Sequence, residues 1–270
     1  MTRPARLLLV GLDDPEVEAL KPRLPADLGV VAWPVVPPFR LVDGELEVES
    51  ASVVGRWLTV DRVVFHGVFE RDLELITALA LWRGPCLPDA LGLLDLRERI
   101  PALARTLRAT RFGALPRGLA LPPGTYVSGG PAVAKWGVWH CGEDKARFTG
   151  AFTPAEPSVV EPFVEGESVR VCVIGDEAWQ IRLVGRPGSE WLRSIHHDDA
   201  RIEAADPALV ADARAVCAAF RMRLGAVDYQ VGRDGTPHLL ELNHAPNVTR
   251  FAETREAFLA LAAAFAAAPS

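Results

Sequence analysis

Two apolar runs, residues 226–231 and 238–242, flank Arg233-Asp234-Gly235. An Asp-Gly pair between such runs is among the strongest short-range signals for a β-hairpin. The hairpin sets Asp228 on one strand and Glu241 and Asn243 on the other. Side chains alternate along a strand, so Glu241 and Asn243, two residues apart, share a face.

Three oxygen donors held this way match what Mg²⁺ accepts from a protein: a few carboxylate or amide oxygens, with its other positions left to phosphates and water. The spacing alone is matched equally well by an acidic hairpin turned to solvent.

The N-terminal third alternates short apolar runs with helical patterns. Strands are expected at 7–10, 30–36 and 62–65, with helices over 15–24 and 72–82. That order predicts a parallel sheet with helices on its faces. Arg3 and Arg6 precede the first run and superficially resemble the start of a secretion signal. The run is short, however, and ends at Gly11, so it reads as a buried strand. Residues 39–49, with Asp43-Gly44 inside, predict a small hairpin or an extended connection.

From Pro85 the character changes. A helix is expected over 95–108, with Pro101 in its first turn or kinking it. A Pro/Gly-rich stretch at 116–131 precedes a strand at 132–135. Antiparallel strands are then expected at 159–164 and in a hairpin of 169–175 with 178–184 around Gly175-Asp176. A loop over 185–206, a helix over 207–222 and an alanine-rich packing helix near 259–268 complete the chain. The class is α/β (α+β).

The chain has 270 residues, 49% hydrophobic and 24% charged, enough apolar material for a folded core. No window approaches the ~18 apolar residues of a membrane helix, so no membrane partner is expected. The net charge is −6 with no basic cluster, which argues against nucleic acid, since phosphate neutralisation needs concentrated Lys and Arg. Cys86, Cys141, Cys172 and Cys217 lie far apart, without metal-ligand or disulfide-framework spacing. They read as reduced thiols of a cytoplasmic protein. Lysine occurs only at 21, 135 and 145, two of them in one short segment.

The phrases Gly225-Ala226-Val227-Asp228-Tyr229-Gln230 and Leu239-Leu240-Glu241-Leu242-Asn243-His244-Ala245-Pro246 closely resemble the metal-binding hairpin of the ATP-grasp superfamily. Carboxylate-amine ligases such as D-alanine-D-alanine ligase and the ribosomal-protein glutamate ligases carry it. A second segment, Val160-Glu161-Pro162-Phe163-Val164-Glu165-Gly166-Glu167-Ser168-Val169-Arg170-Val171, is similar to the family's hinge between its two nucleotide-sandwiching subdomains.

The resemblance implies ATP and Mg²⁺ as cofactors, with Mn²⁺ able to substitute, and Asp228, Glu241 and Asn243 as metal ligands. Glu161 and the backbone of Pro162, Phe163 and Val164 would meet the adenine edge, and Glu167 the ribose hydroxyls. A carboxylate suits vicinal hydroxyls because charge-assisted hydrogen bonds are the stronger kind. Lys135, ending a short apolar strand, would reach the phosphates. Residues 136–145 stand where the family has a glycine-containing loop over the phosphates, but depart from its usual Pro/Gly/Ser pattern. Lys145 is either a second phosphate contact or a surface residue.

Arg99, with Arg97 as the alternative, stands where the family carries a lysine on the preceding helix. The family's arginine two residues before the hairpin Asp is Ala226 here. Arg170, Arg182 or Arg193 would then steady the transferring phosphoryl group. Asn247 and Thr249 follow where those ligases bring a loop to phosphates or acceptor. The run His196-His197-Asp198-Asp199 reads as a solvated loop, and His66 and His244 as either structural residues or general bases.

The implied architecture is a small N-terminal α/β parallel-sheet domain (1–88), a central region with the first ATP-grasp subdomain (89–160), and a second subdomain carrying the metal hairpin (161–270). The implied reaction joins a carboxylate to an amine through an acyl phosphate, releasing ADP and phosphate. Small-molecule substrates, an amino acid or peptide among them, are expected, and a homodimer is compatible. A phosphotransferase of the same fold and a non-catalytic nucleotide-binding module are the alternatives.

Overall fold

The computed structural model describes residues 3–67, 72–138, 144–185 and 197–269. Strand β1 (Arg6–Val10) contributes Leu7, Leu8, Leu9 and Val10, all completely buried. A strand buried on both faces is what the middle of a parallel sheet requires. β1 pairs in parallel with β2 (Gly29–Trp33) on one side and with a later strand, β6 (Arg62–Phe65), on the other. Helix α1 (Asp14–Leu20) is started by Asp13, whose carboxylate accepts from the Glu16 N–H at 3.2 Å, and by Pro15 in its first turn. A short turn of 3₁₀-helix follows at Lys21–Arg23.

Between β2 and β6 lies a separate antiparallel sheet of β3 (Phe39–Val42), β4 (Glu45–Ser50) and β5 (Val53–Thr59). Asp43 and Gly44 turn the first hairpin with φ of 52° and 81°, the left-handed pair that such a two-residue turn requires. The hairpin expected here is present, and β5 is an addition to it. Helix α2 (Asp72–Trp82) and β7 (Cys86–Leu87) complete the first sheet in the order β2-β1-β6-β7.

The single helix expected over 95–108 is two, α3 (Ala90–Arg97) and α4 (Arg99–Ala109). Glu98 between them is extended, with φ −97° and ψ 115°. A continuous helix would drive the Pro101 ring into the carbonyl of Arg97. The break removes that clash, puts Pro101 in the first turn of α4, and leaves Arg97 and Arg99 buried on either side of it.

The remainder is two antiparallel sheets. The first has β8 (Gly118–Ala120), β9 (Tyr126–Lys135), β10 (Lys145–Phe152) and β11 (Ser158–Pro162) in the order β10-β9-β11-β8. The second contains β12 (Gly166–Ile174), β13 (Glu177–Gly185), β14 (His197–Glu203), β15 (Leu224–Gly232) and β16 (Pro237–Asn243) in the order β14-β13-β12-β15-β16. β10 and β14 fall where no strand was expected.

Helix α5 (Pro207–Ala219) packs Leu209, Ala213 and Val216 onto Val169, Val171, Val227 and Tyr229, so one face of the five-stranded sheet is core. Tyr229 donates its hydroxyl to Asp212 of α5 at 2.8 Å. Helix α6 (Ala252–Ala267) carries Phe258 and Leu261 back into a cluster with Leu7, Leu9 and Val64 of the first sheet. Among the described residues no helix is long and apolar enough to cross a membrane.

Candidate active site

The face of the five-stranded sheet opposite α5 carries a row of charged side chains. Arg170, Asp228 and Glu241 are directly paired across β12, β15 and β16. Directly opposed residues of antiparallel strands share a face, so all three project the same way. Asn243, opposed to Ala226, joins them.

The row depends on a bulge. Asp228 pairs with Glu241 but Tyr229 pairs with Leu239, so Leu240 is left out of the ladder. Leu239 is therefore fully buried in the core while Glu241, two residues on, turns to the other face. A bulge re-aims side chains in this way.

Asp228 is buried and doubly held. Arg170 donates from Nε to Oδ1 at 2.7 Å and from Nη2 to Oδ2 at 2.8 Å. Burial opposes the charge of Arg170, but the Asp228 carboxylate outweighs it and raises the guanidinium pKa. Asn243 donates Nδ2 to Asp228 Oδ2 at 2.9 Å, which directs its own Oδ1 away from the carboxylate. Asp228, Glu241 and the Asn243 carbonyl thus supply hard oxygen donors on one face, a set that fits Mg²⁺.

Opposite this row stands the neck of the β9–β10 hairpin. Lys135 and Lys145 are paired across it. Arg99 donates to the carbonyl of Trp136 and, at 3.1 Å, to that of Asp144, and Arg97 donates to the carbonyl of Val138 at 2.9 Å. Arg97 is itself held by the buried Asp72 of α2 at 2.9 Å. The α3–α4 arginines therefore grip the described ends of the segment between Lys135 and Lys145; its residues 139–143 lie outside the described residues. Lys145 is half-buried rather than on the surface. Burial, and next the neighbouring Lys135, lower its pKa to about 8, although Glu241 pulls the other way. A pocket between α4, β9, β11 and β16 is lined by Arg99, Leu103, Lys135, Val159, Leu240 and Glu241, joining an apolar floor to the charged end.

At the hinge, the buried Glu161 carboxylate binds Lys135 Nζ at 2.5 Å and Arg117 Nε at 3.0 Å. Arg117 also donates to the carbonyl of Leu239, so it ties the hinge to the bulged strand. Sequence reasoning missed Arg117, since a lone arginine in a Pro/Gly-rich stretch carries no periodic signal. The Phe163 N–H donates to the Pro131 carbonyl at 2.9 Å, and the Arg147 guanidinium lies 3.9 Å over the Phe163 ring. Pro162 is exposed and Val164 half-buried. Glu167 is an exposed residue near the start of β12, in an ion pair with Arg182.

Not every expected arginine reaches the Asp228 face. Arg182 opposes Val169, whereas Arg170 opposes Ile181, so Arg182 lies on the other face of the sheet from Arg170. There it binds Glu203 at 2.7 Å as well as Glu167. Arg193 and the His196-His197-Asp198-Asp199 side chains lie outside the described residues. The described residues contain no cluster of three His, Cys, Asp or Glu side chains fit for a metal; in the Asp228, Glu241 and Asn243 set the third oxygen is that of an amide.

Both candidate histidines are packed inside. His66 follows β6, with Nδ1 3.2 Å from the Gly11 carbonyl and its ring against Phe258. Burial lowers its pKa. His244 is buried with Nε2 4.0 Å from Asp72. Gly67 meets the chain leaving β16 so closely that a Cβ on it would lie 2.5 Å from the Ala245 Cβ. The carboxyl ends of β1 and β6, the switch point where parallel sheets bind ligands, thus adjoin the residues that follow Asn243.

The sequence matches no protein-family model, and no curated protein sequence matches it. Solved structures do match. The macrocyclase MdnB from Microcystis aeruginosa MRC superposes with a TM-score of 0.65 at 12% identity, covering 98% of this chain and 100% of that one. D-alanine-D-alanine ligase from Coxiella burnetii gives a TM-score of 0.61 at 13% identity over 97% and 95% of the two chains. A RiPP-associated ATP-grasp ligase from Chryseobacterium gregarium, solved with ADP and a leader and core peptide, gives 0.61 at 11% identity over 98% of each. This chain has the ATP-grasp fold.

Proposed function

We propose that this protein is an ATP-dependent carboxylate-amine ligase that activates a carboxylate as an acyl phosphate and joins it to an amine, releasing ADP and phosphate. The observation that carries the reading is the Arg170–Asp228–Glu241 row, with Asn243 beside it, facing the Lys135–Lys145 neck within an ATP-grasp fold. One side offers oxygen donors and the other cations, the pairing a metal-bound polyphosphate needs. Phosphoryl transfer asks a protein mainly for positioning and charge stabilisation.

In this reading Asp228, Glu241 and Asn243 hold Mg²⁺, or Mn²⁺ in its place, which when bound would neutralise phosphate charge. Arg170 fixes the Asp228 carboxylate. Lys135 and Arg99 serve the phosphate end. Glu161 orients Lys135, and the backbone of Pro162, Phe163 and Val164 lines the adenine edge. Glu167 shares its face with Arg182, away from the Asp228 row, and is not assigned to the nucleotide. Arg193, which the resemblance implies would steady the transferring phosphoryl group, lies outside the described residues. Residues 1–88 form a substrate-facing α/β unit, 89–160 the first nucleotide-binding subdomain, and 161–270 the second. The substrates are a small carboxylate and an amine, an amino acid or peptide among them. Widely spaced cysteines, free at 86, 172 and 217, support a reducing, cytoplasmic setting.

The test is phosphate release from ATP with pools of amino acids and small dicarboxylates, for the wild type and Glu241→Gln. Release that needs carboxylate and amine together, and fails in the variant, is expected. ADP release with one substrate alone would identify a phosphotransferase. Unchanged turnover in Glu241→Gln would sink the metal-site assignment.

A further inference from the structure

A groove of about 390 Å³ lies between the parallel sheet and the small sheet of β3, β4 and β5. Gly29, Val30, Val31 and Ala32 of β2 border it in unbroken succession. Side chains alternate along a strand, so an edge, not a face, presents every residue to one space. β2 is the outer strand of its sheet, and β5, which contributes Arg56 and Leu58 across the groove, is the outer strand of the other. The Gly29 N–H donates to the Ala5 carbonyl at 2.8 Å and the Gly11 N–H to the Trp33 carbonyl at 2.9 Å, so residues of that parity turn their backbone groups to β1. The N–H and carbonyl groups of Val30 and Ala32 therefore point outward, into the groove.

An open edge accepts another extended chain unless charge, proline or a cover prevents it. β2 reads Gly-Val-Val-Ala-Trp and has neither charge nor proline. Both charged residues bordering the groove are cationic. Arg6 lies along Gly29, where an added Cβ would meet its Cγ at 3.2 Å, and donates Nη1 to the Thr59 carbonyl at 3.3 Å. Arg56 is exposed and has no ion-pair partner among the described residues. Ser50 and Ser52 add hydroxyls 3.1 Å apart at the β4–β5 turn. In a chain of net charge −6, the groove is locally positive.

We propose that this groove docks an extended acidic peptide segment, which adds to β2 as a further strand and sets its carboxylates against Arg6 and Arg56. Main-chain bonds to Val30 and Ala32 supply affinity, and the arginines select the sequence. The groove borders Arg6 at the start of β1, whereas the candidate active site adjoins the carboxyl ends of β1 and β6. Peptide docking here therefore stands apart from the ligase reading and does not depend on it.

Fluorescence anisotropy of the full chain tests this with a fluorescein-labelled peptide of alternating Glu and Val, the same peptide with Lys in place of Glu, and its fully N-methylated form. The Glu peptide is expected to bind, more weakly as salt rises, and the other two are not. Arg56→Glu turns an attraction into a repulsion and is expected to weaken binding about tenfold. Ala32→Pro removes an outward N–H, a change that an edge strand tolerates, and is expected to weaken it about fivefold. Arg56 is exposed, so its variant decides the matter even where Ala32→Pro melts early. No binding of the Glu peptide, equal binding of either control peptide, or wild-type affinity in Arg56→Glu would overturn the proposal. A chain that sediments as a dimer and becomes a monomer in Arg56→Glu would also overturn it, giving the edge to a second copy.

Discussion

Asn243 donates its amide Nδ2 to Asp228 Oδ2 across 2.9 Å. An ionised carboxylate can only accept, so the contact decides which way round the amide sits and presents Asn243 Oδ1 as the remaining donor to a cation. Asn243→Asp exchanges that hydrogen bond for like-charge repulsion and is expected to cost about 1.5–3 kcal/mol in the absence of a divalent cation. Added Mg²⁺ should return part of it. Thermal melting with and without MgCl₂ checks this; a loss of the same size in both buffers would count against cation binding at this hairpin.

Arg170 and Asp228 form a two-bond ion pair in a buried setting. Removing one partner leaves a charge uncompensated, so Arg170→Met is expected to destabilise the fold by about 3–5 kcal/mol in urea unfolding. Arg170→Met combined with Asp228→Asn should recover a large part of the loss. Additive losses in the double variant would show that the pair is not coupled.

Gly92 lies inside α3, where alanine would ordinarily add stability because glycine weakens a helix. Here a Cβ would meet the Phe220 carbonyl oxygen at 2.2 Å and Met222 Sδ at 3.0 Å. Gly92→Ala is therefore expected to destabilise by about 1–3 kcal/mol, opposite in sign to helix propensity. A variant that melts higher than wild type would refute the close packing of α3 on the chain after α5.

His66 is held neutral by burial, with its pKa below the ordinary 6.5. The unfolded chain takes up a proton near that value while the folded chain does not, so this contribution is present above it and is lost as pH falls through it. Melting between about pH 7.5 and 5.5 should fall less steeply in His66→Gln than in wild type. Parallel slopes would mean that other groups set the acid limb.

Much of this was legible because local chemistry governs it. The Asp-Gly turn of the β15–β16 hairpin, the Gly175-Asp176 turn between β12 and β13, and the fully apolar run of β1 appear where spacing predicts them. β10 and β14 were not expected: β10 interleaves Arg147, Thr149 and Gly150 with its apolar residues, and β14 is an edge strand carrying Asp199, Arg201 and Glu203. Neither has a clean alternation, and their pairing comes from neighbouring strands. The broken helix at Glu98 was half-legible, since Pro101 allowed a first-turn position or a kink and did not say that the chain would restart.

The sequence by itself determined that Asp228, Glu241 and Asn243 lie on one hairpin, because turn chemistry and alternation are properties of adjacent residues. Only tertiary structure decided what faces them. The bulge at Leu240 turns Glu241 to the face opposite Leu239, Arg170 pairs with Asp228 while Arg182 falls on the other face, and Arg117 reaches the hinge from 44 residues away. Lys145 joins the charged end because two strands pair, and Arg97 and Arg99 reach the loop because a helix breaks between them. These contacts follow from strand register and long-range packing, which no local spacing encodes.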